Sequence, residues 1–146
     1  MKRINSTLLN VIALCLVFSL FFSIPVSATD TATTPYASYY LNAYNTYICD
    51  LGNGTIQVWY EVQSTRIMDE IGVLSIILYE VNSDGSLTRV KTFSHENYNS
   101  MLATDDNYIY SNVSYQGSSS KTYKAYVCIW AGKNGSGDTR YMWALE

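Results

Sequence analysis

Histidine occurs once in this chain of 146 residues, cysteine three times, and basic residues number nine against twelve acids. Each shortage excludes something. A nucleophilic relay needs an imidazole held between a nucleophile and an acid. His95 has Ser94 and Glu96 beside it, and in an extended segment adjacent residues point to opposite faces. His95 is therefore read as a polar loop residue, no catalytic residue is assigned, and the chain is not expected to be an enzyme. One His and distant cysteines do not make a metal-ligand cluster, so neither metal nor cofactor is expected. An acidic chain with scattered Lys and Arg lacks the electrostatic footprint of a nucleic-acid binder or of a protein that docks on anionic lipid.

The acids themselves suggest no chemistry. Asp69-Glu70 and Asp105-Asp106 are neighbours in polar linkers, whereas glycoside hydrolysis needs two carboxyls opposed across a substrate. Asp105, Asp106 and Asn107 lack the alternating spacing and terminal Glu of a calcium-binding loop. Gly132 to Gly137 reads GKNGSG, but it joins two strands and opens no helix, which argues against a phosphate cradle.

One long apolar run is present, Leu8 to Ile24, preceded by Lys2-Arg3 and ended by Pro25. Val26 and Ala28 then supply the small residues that a signal peptidase reads, so residues 1–28 are predicted to be a secretory signal peptide. The alternative is a retained anchor, since the run is long for a signal. Cys15 lies mid-run behind Leu14, unlike a lipoprotein cysteine. Removing residues 1–28 from 146 leaves 118, and takes the basic count from nine to seven against twelve acids, a net charge of −5. That length suits one domain. Residues 29–37 are a Thr-rich lead-in expected to be disordered, and residues 38–146 are the domain. The expected location is extracellular, with no membrane association after cleavage. Cys49 and Cys128 are the cysteines that remain. In an oxidising compartment they favour one disulfide, which would stabilise by about 4 kcal/mol in the chain-entropy model. The other reading is two buried thiols.

From Ala37 onward, strand-like runs alternate with turn signals. Tyr39 to Leu51 ends at Gly52-Asn53-Gly54, a hairpin signal. Thr55 to Gln63 alternates cleanly, with Ile56, Val58, Tyr60 and Val62 on one side and Gln57, Trp59 and Glu61 on the other. Ile71 to Val81 is apolar on both faces and reads as a central strand. A turn at Asn82–Ser86 leads into a strand at Leu87–Ser94. His95 to Asn107 is a long irregular connection with Met101 and Leu102 tucked inward. Tyr108–Tyr115 follows, and a hairpin at Lys121–Tyr141 closes the chain. The expectation is a single seven-stranded antiparallel β-sandwich.

Within that hairpin, Tyr126, Cys128, Trp130, Gly132, Asn134 and Gly137 resemble the F strand and F–G loop of fibronectin type III domains. Tyr126-Val127-Cys128 also resembles the Tyr-x-Cys of immunoglobulin domains, although the usual Asp before that Tyr is not found. The resemblance implies an inward Tyr126 whose hydroxyl bonds backbone near the preceding turn, with Trp130 structural as well. Tyr123 and Ile129 would then lie outward. The fibronectin-type buried Trp is not matched, because alternation puts Trp59 on the polar face. Taken whole, the mature region resembles an uncharacterised family of small secreted proteins of clostridial Gram-positive bacteria, through GNGTIQVWYEV, MDEIGVLSIILYE, KTFSHENY and YKAYVCIWAGKNGSGDTRY. That likeness implies localisation and fold, not activity.

What the chain has in plenty is tyrosine, fourteen residues, with three tryptophans. Sheet propensity and core filling account for many. The sharper reading is an exposed aromatic platform, because amphipathic rings supply contact area at low entropic cost. Trp59, Tyr123, Tyr141 and Trp143 are the candidate ligand-binding residues. The expected function is a secreted, non-catalytic binding or adhesion module for an extracellular glycan or protein. The alternative is a secreted effector, an inhibitor or antimicrobial factor, acting on a protein target. Exported protein is expected to begin at Thr29; intact mass of material recovered from medium checks this, and a mass retaining Met1–Ala28 would reject the cleavage site.

Overall fold

Thr55 to Val81 forms a single strand of 27 residues in the computed structural model, which describes residues 38–144. The predicted signal peptide (residues 1–28) and lead-in (residues 29–37) lie outside the described residues. At about 3.3 Å per residue a straight strand of that length would run about 90 Å. A domain of this size is only a few tens of ångströms across, so the strand has to bend. The remaining strands are arranged along it.

In chain order the strands are β1 (Leu41–Asp50), β2 (Thr55–Val81), β3 (Leu87–Ser94), β4 (Leu102–Gln116), β5 (Thr122–Lys133) and β6 (Ser136–Trp143). Among the described residues the only helical piece is a 3-10 turn at Asn99–Met101. Every strand pairing is antiparallel. Residues 56–63 of β2 pair with both β1 and β4, so these occupy its two edges. Residues 75–81 pair with both β3 and β5. Glu70–Gly72 pair with both β4 and β5, which puts β5 in line with β1 on one edge and β3 in line with β4 on the other. The result is one continuous, curled antiparallel sheet of six strands.

The expected count of seven is thus corrected to six. Thr55–Gln63 and Ile71–Val81 are one strand, because the polar stretch between them stays extended instead of leaving the sheet. The irregular connection is also shorter than expected, since β4 starts at Leu102. Two irregularities bend β2. Between Gln63 and Met68 its register against β4 slips. There the buried Ser64 hydroxyl donates to the carbonyls of Arg66 at 2.6 Å and Asn107 at 3.2 Å, satisfying groups that the ladder drops. Between Val73 and Ser75 the register against β5 shifts, while on the opposite edge the Leu74 carbonyl accepts the His95 N–H at 3.0 Å, extending the β3 ladder. Between these irregularities stands Gly72 at φ +146°, a conformation that L side chains rarely adopt, and a Cβ there would collide with the Met101 carbonyl oxygen.

The bend lets the inner faces of the two halves bury one another. Ile56, Val58, Tyr60 and Val62 from the first half join Ile71, Val73, Ile76 and Leu78 from the second in one core with Phe93 and Met101. Tyr60 is fully buried, and its hydroxyl donates to the Ser100 carbonyl at 3.0 Å. In β5 the residues that join the core are Tyr123, Ala125, Val127, Ile129 and Ala131, while Cys128, on the other face, is buried outside it. This reverses the phase implied by the fibronectin resemblance. Tyr126 lies on the outward face, while Tyr123 and Ile129 point in. The hydroxyl–backbone bond expected of Tyr126 is made by Tyr123, whose oxygen accepts the Ser118 N–H at 2.9 Å across the turn before β5. Pattern alone misled because both phases of β5 carry large residues.

Cys49 and Cys128 are both free thiols, which corrects the expected disulfide. Their strands are not hydrogen-bonded neighbours, and alternation turns both side chains away from the shared core. Burial pushes the Cys128 thiol up from its ordinary value, which keeps it protonated and unreactive. Substituting Gly72→Ala is expected to destabilise the domain by about 2–3 kcal/mol through forced backbone strain. Urea unfolding measures this, and an unchanged midpoint would show that the bend does not require glycine.

Candidate aromatic contact surface

Alternation along β1, β2 and β4 delivers side chains outward at every second position, and on the first half of the sheet several are aromatic. Trp59 sits on this face of β2, directly across from Tyr47 on β1. Tyr110 on β4 is paired with Glu61, one step diagonal from Trp59. Tyr47 lies nearly parallel to the indole at 6.2 Å and 8°, and Tyr110 at 5.1 Å and 25°. The two tyrosine hydroxyls hydrogen-bond to each other at 2.6 Å. The three rings are therefore held as one unit across three strands.

Polar groups frame it. The Trp59 Nε1–H donates to Gln57 Oε1 at 3.1 Å, and Gln57 Nε2 donates to the Ser114 hydroxyl at 3.2 Å. Tyr108 donates to Glu61 Oε1 at 3.2 Å. The Tyr47 hydroxyl is pushed up to about 12, first by its hydrogen bond to Tyr110 and then by loss of hydration. Tyr108 is also raised, by desolvation and by its bond to Glu61. Both shifts favour the neutral phenols at ordinary pH. Tyr108 and Tyr110 remain 43% and 49% exposed, enough for both to touch a ligand.

The second half of the sheet carries its own outward aromatics. Tyr126 stacks on Tyr141 at 5.8 Å and 14°, Trp143 leans on Tyr126 at 5.0 Å, and Tyr79 reaches Trp143 at 5.8 Å. Tyr141 and Trp143 are thus brought together, with Tyr126 as the ring between them. The Tyr141 hydroxyl is raised by its contact with the Cys128 thiol. Tyr123 is only 5% exposed and belongs to the core, which removes it from the candidate binding residues.

The chain matches no family model, no curated protein and no solved structure. Asp69 is tied down, accepting the Asn134 N–H at 2.6 Å and lying 3.6 Å from the Lys133 ammonium. Asp106 caps its own turn by accepting the N–H groups of Asn107 and Tyr108. Among the described residues no group of three or more His, Cys, Asp or Glu converges as a metal site would require, and no helix is long and apolar enough to cross a membrane.

Sequence reasoning singled out Trp59 but missed Tyr47 and Tyr110. The signal for Tyr47 was present: a tight turn at Gly52-Asn53-Gly54 sets Asp50 opposite Ile56, and counting back along both strands puts Tyr47 opposite Trp59. No such turn joins β2 to β4, so Tyr110 had no local signal.

Because the folded Tyr47 value lies above the ordinary 10.0, the neutral hydroxyl pair contributes stability that is fully present below about pH 10 and lost as pH rises through the folded value. Tyr110→Phe should bring the Tyr47 titration back toward its ordinary value, read from the assigned Tyr47 ring resonances as pH is raised. A Tyr47 titration unchanged by that substitution would refute the hydroxyl pairing as its cause.

Proposed function

We propose that the chain is a secreted, non-catalytic binding module of sandwich-like build whose Tyr47–Trp59–Tyr110 face contacts an extracellular glycan. The observation that carries this reading is the near-parallel three-ring unit on an open sheet face, framed by amide, hydroxyl and carboxylate groups. A sugar presents patches of C–H groups beside hydroxyls, and this surface offers the complementary mixture. The rings are fixed by neighbours before any ligand arrives, so little rotamer freedom is lost on contact. Export follows from the predicted signal peptide and accords with the likeness to small secreted proteins.

A protein ligand at the same face is the nearest competitor. The effector reading has less support, because large exposed apolar residues are concentrated on the sheet faces. Leu51 beside the β1–β2 turn, Ile67 within β2 and Leu87 at the start of β3 are exposed but lie on different elements and form no protruding apolar loop.

A glycan array probed with wild type and Trp59→Ala is the test. Wild type should bind a defined subset, and the variant should lose about tenfold in affinity, the size of effect expected for removing one stacked ring. Circular dichroism confirms that the variant keeps its sheet. Equal binding by the two proteins, or none by wild type, would reject this face as a glycan site.

A further inference from the structure

The outward face of the β5–β6 hairpin holds a second aromatic feature of different construction. Gly132 and Gly137 stand opposite each other across the two strands. Trp130, two residues before Gly132, projects to the same face, and its indole lies across both glycines, where any Cβ would collide with the ring. The Trp130 Nε1 is buried and has no acceptor among the described residues. Packing on bare backbone, and no hydrogen bond, therefore fixes the position of this ring.

With one ring face against the glycines, the half-buried indole borders a cavity of about 400 Å³, within the usual size of ligand clefts, about 300–1,000 Å³. Register supplies the rest of the wall. Glu70 on β2 is opposite Gly132, and Thr104 on β4 is opposite Glu70; Asp69, Lys133 and Ser136 complete it. The Lys133 ammonium donates to the Ile67 carbonyl at 2.8 Å and lies beside Asp69, so its charge is already matched. The Glu70 carboxylate has no hydrogen bond or ion pair among the described residues. The cleft thus offers a fixed indole, one unmatched negative charge and two hydroxyls able to donate or accept.

We propose that this cleft is a separate carbohydrate site that takes one pyranose ring bearing no negative charge, a neutral or amino sugar. The flat C–H face of the ring packs on Trp130 while its hydroxyl or amino groups donate to Glu70 and exchange hydrogen bonds with Thr104 and Ser136. A wholly apolar ligand would strip water from the Glu70 carboxylate without replacing it. An anionic sugar would meet that carboxylate as a like charge. The site uses none of the residues of the Trp59 surface and stands or falls independently of it.

The three tryptophans give three indole N–H resonances in the nitrogen-15 spectrum, so each site reports on itself. N-acetylglucosamine, glucosamine and glucuronate are titrated in turn. The Trp130 resonance is expected to shift saturably with the first two, equally in wild type and in Trp59→Ala. Glu70→Gln, at an exposed position, should weaken the glucosamine response about tenfold, as loss of about 1.4 kcal/mol would. The proposal is overturned if the Trp130 resonance is unmoved by all three sugars, or if glucuronate shifts it as far as glucosamine does. A response confined to Trp59 supports the first surface and overturns this cleft; a response at Trp130 alone supports the cleft and leaves the Trp59 surface without a sugar ligand among those tested.

Discussion

One strand crossing from one half of the domain to the other is the constraint from which the remaining geometry follows. β2 supplies an edge to every strand except β6, and its inward residues contribute to the core on both sides of the bend. Because side chains alternate within each regular segment of β2, placing Ile56–Val62, Ile71 and Val73, and Ile76 and Leu78 inward turns most of the residues between them outward, with the phase reset at the two irregularities. The outward aromatics are therefore fixed by what the core demands, through the pleat.

The two outward faces then differ in how their rings are held. On the first half, Trp59 is braced by tyrosines from both flanking strands, and the Tyr47–Tyr110 hydroxyl pair ties β1 to β4 across the top of β2. On the second, Trp130 rests on glycine backbone. Bracing between rings leaves edges and hydroxyls outward, whereas a ring seated on glycine presents its flat side. The two arrangements suit different contacts, even though alternation alone makes Trp59 and Trp130 look equivalent.

Fold class was legible because the period-two pattern in Thr55–Gln63 and the turn residues at Gly52–Gly54 and Asn82–Ser86 are local. Strand continuity was not. Ser64–Glu70 reads as a linker by composition, and only its pairing partners, distant in sequence, keep it extended. The phase of β5 was misjudged because Tyr123 and Tyr126 are equally suited to a core, and β-propensity does not distinguish two faces that both carry large residues. Trp59 could be singled out since its immediate neighbours are polar. Its partners Tyr47 and Tyr110 required register, and Trp130 required the knowledge that Gly132 and Gly137 stand opposite each other. The cysteines show the same limit: their count suggests a pair, but pairing needs proximity that no spacing in the chain reveals.

A strand shared by both halves also leaves the domain without a seam. Neither half can be released while the other stays zipped, because β2 would have to fray from partners on both edges at once. Such an architecture melts as a unit. It also assembles late, since β2 cannot complete its ladder until β5, some fifty residues further along, has been made; topologies closed by such distant partners are intrinsically slow to form.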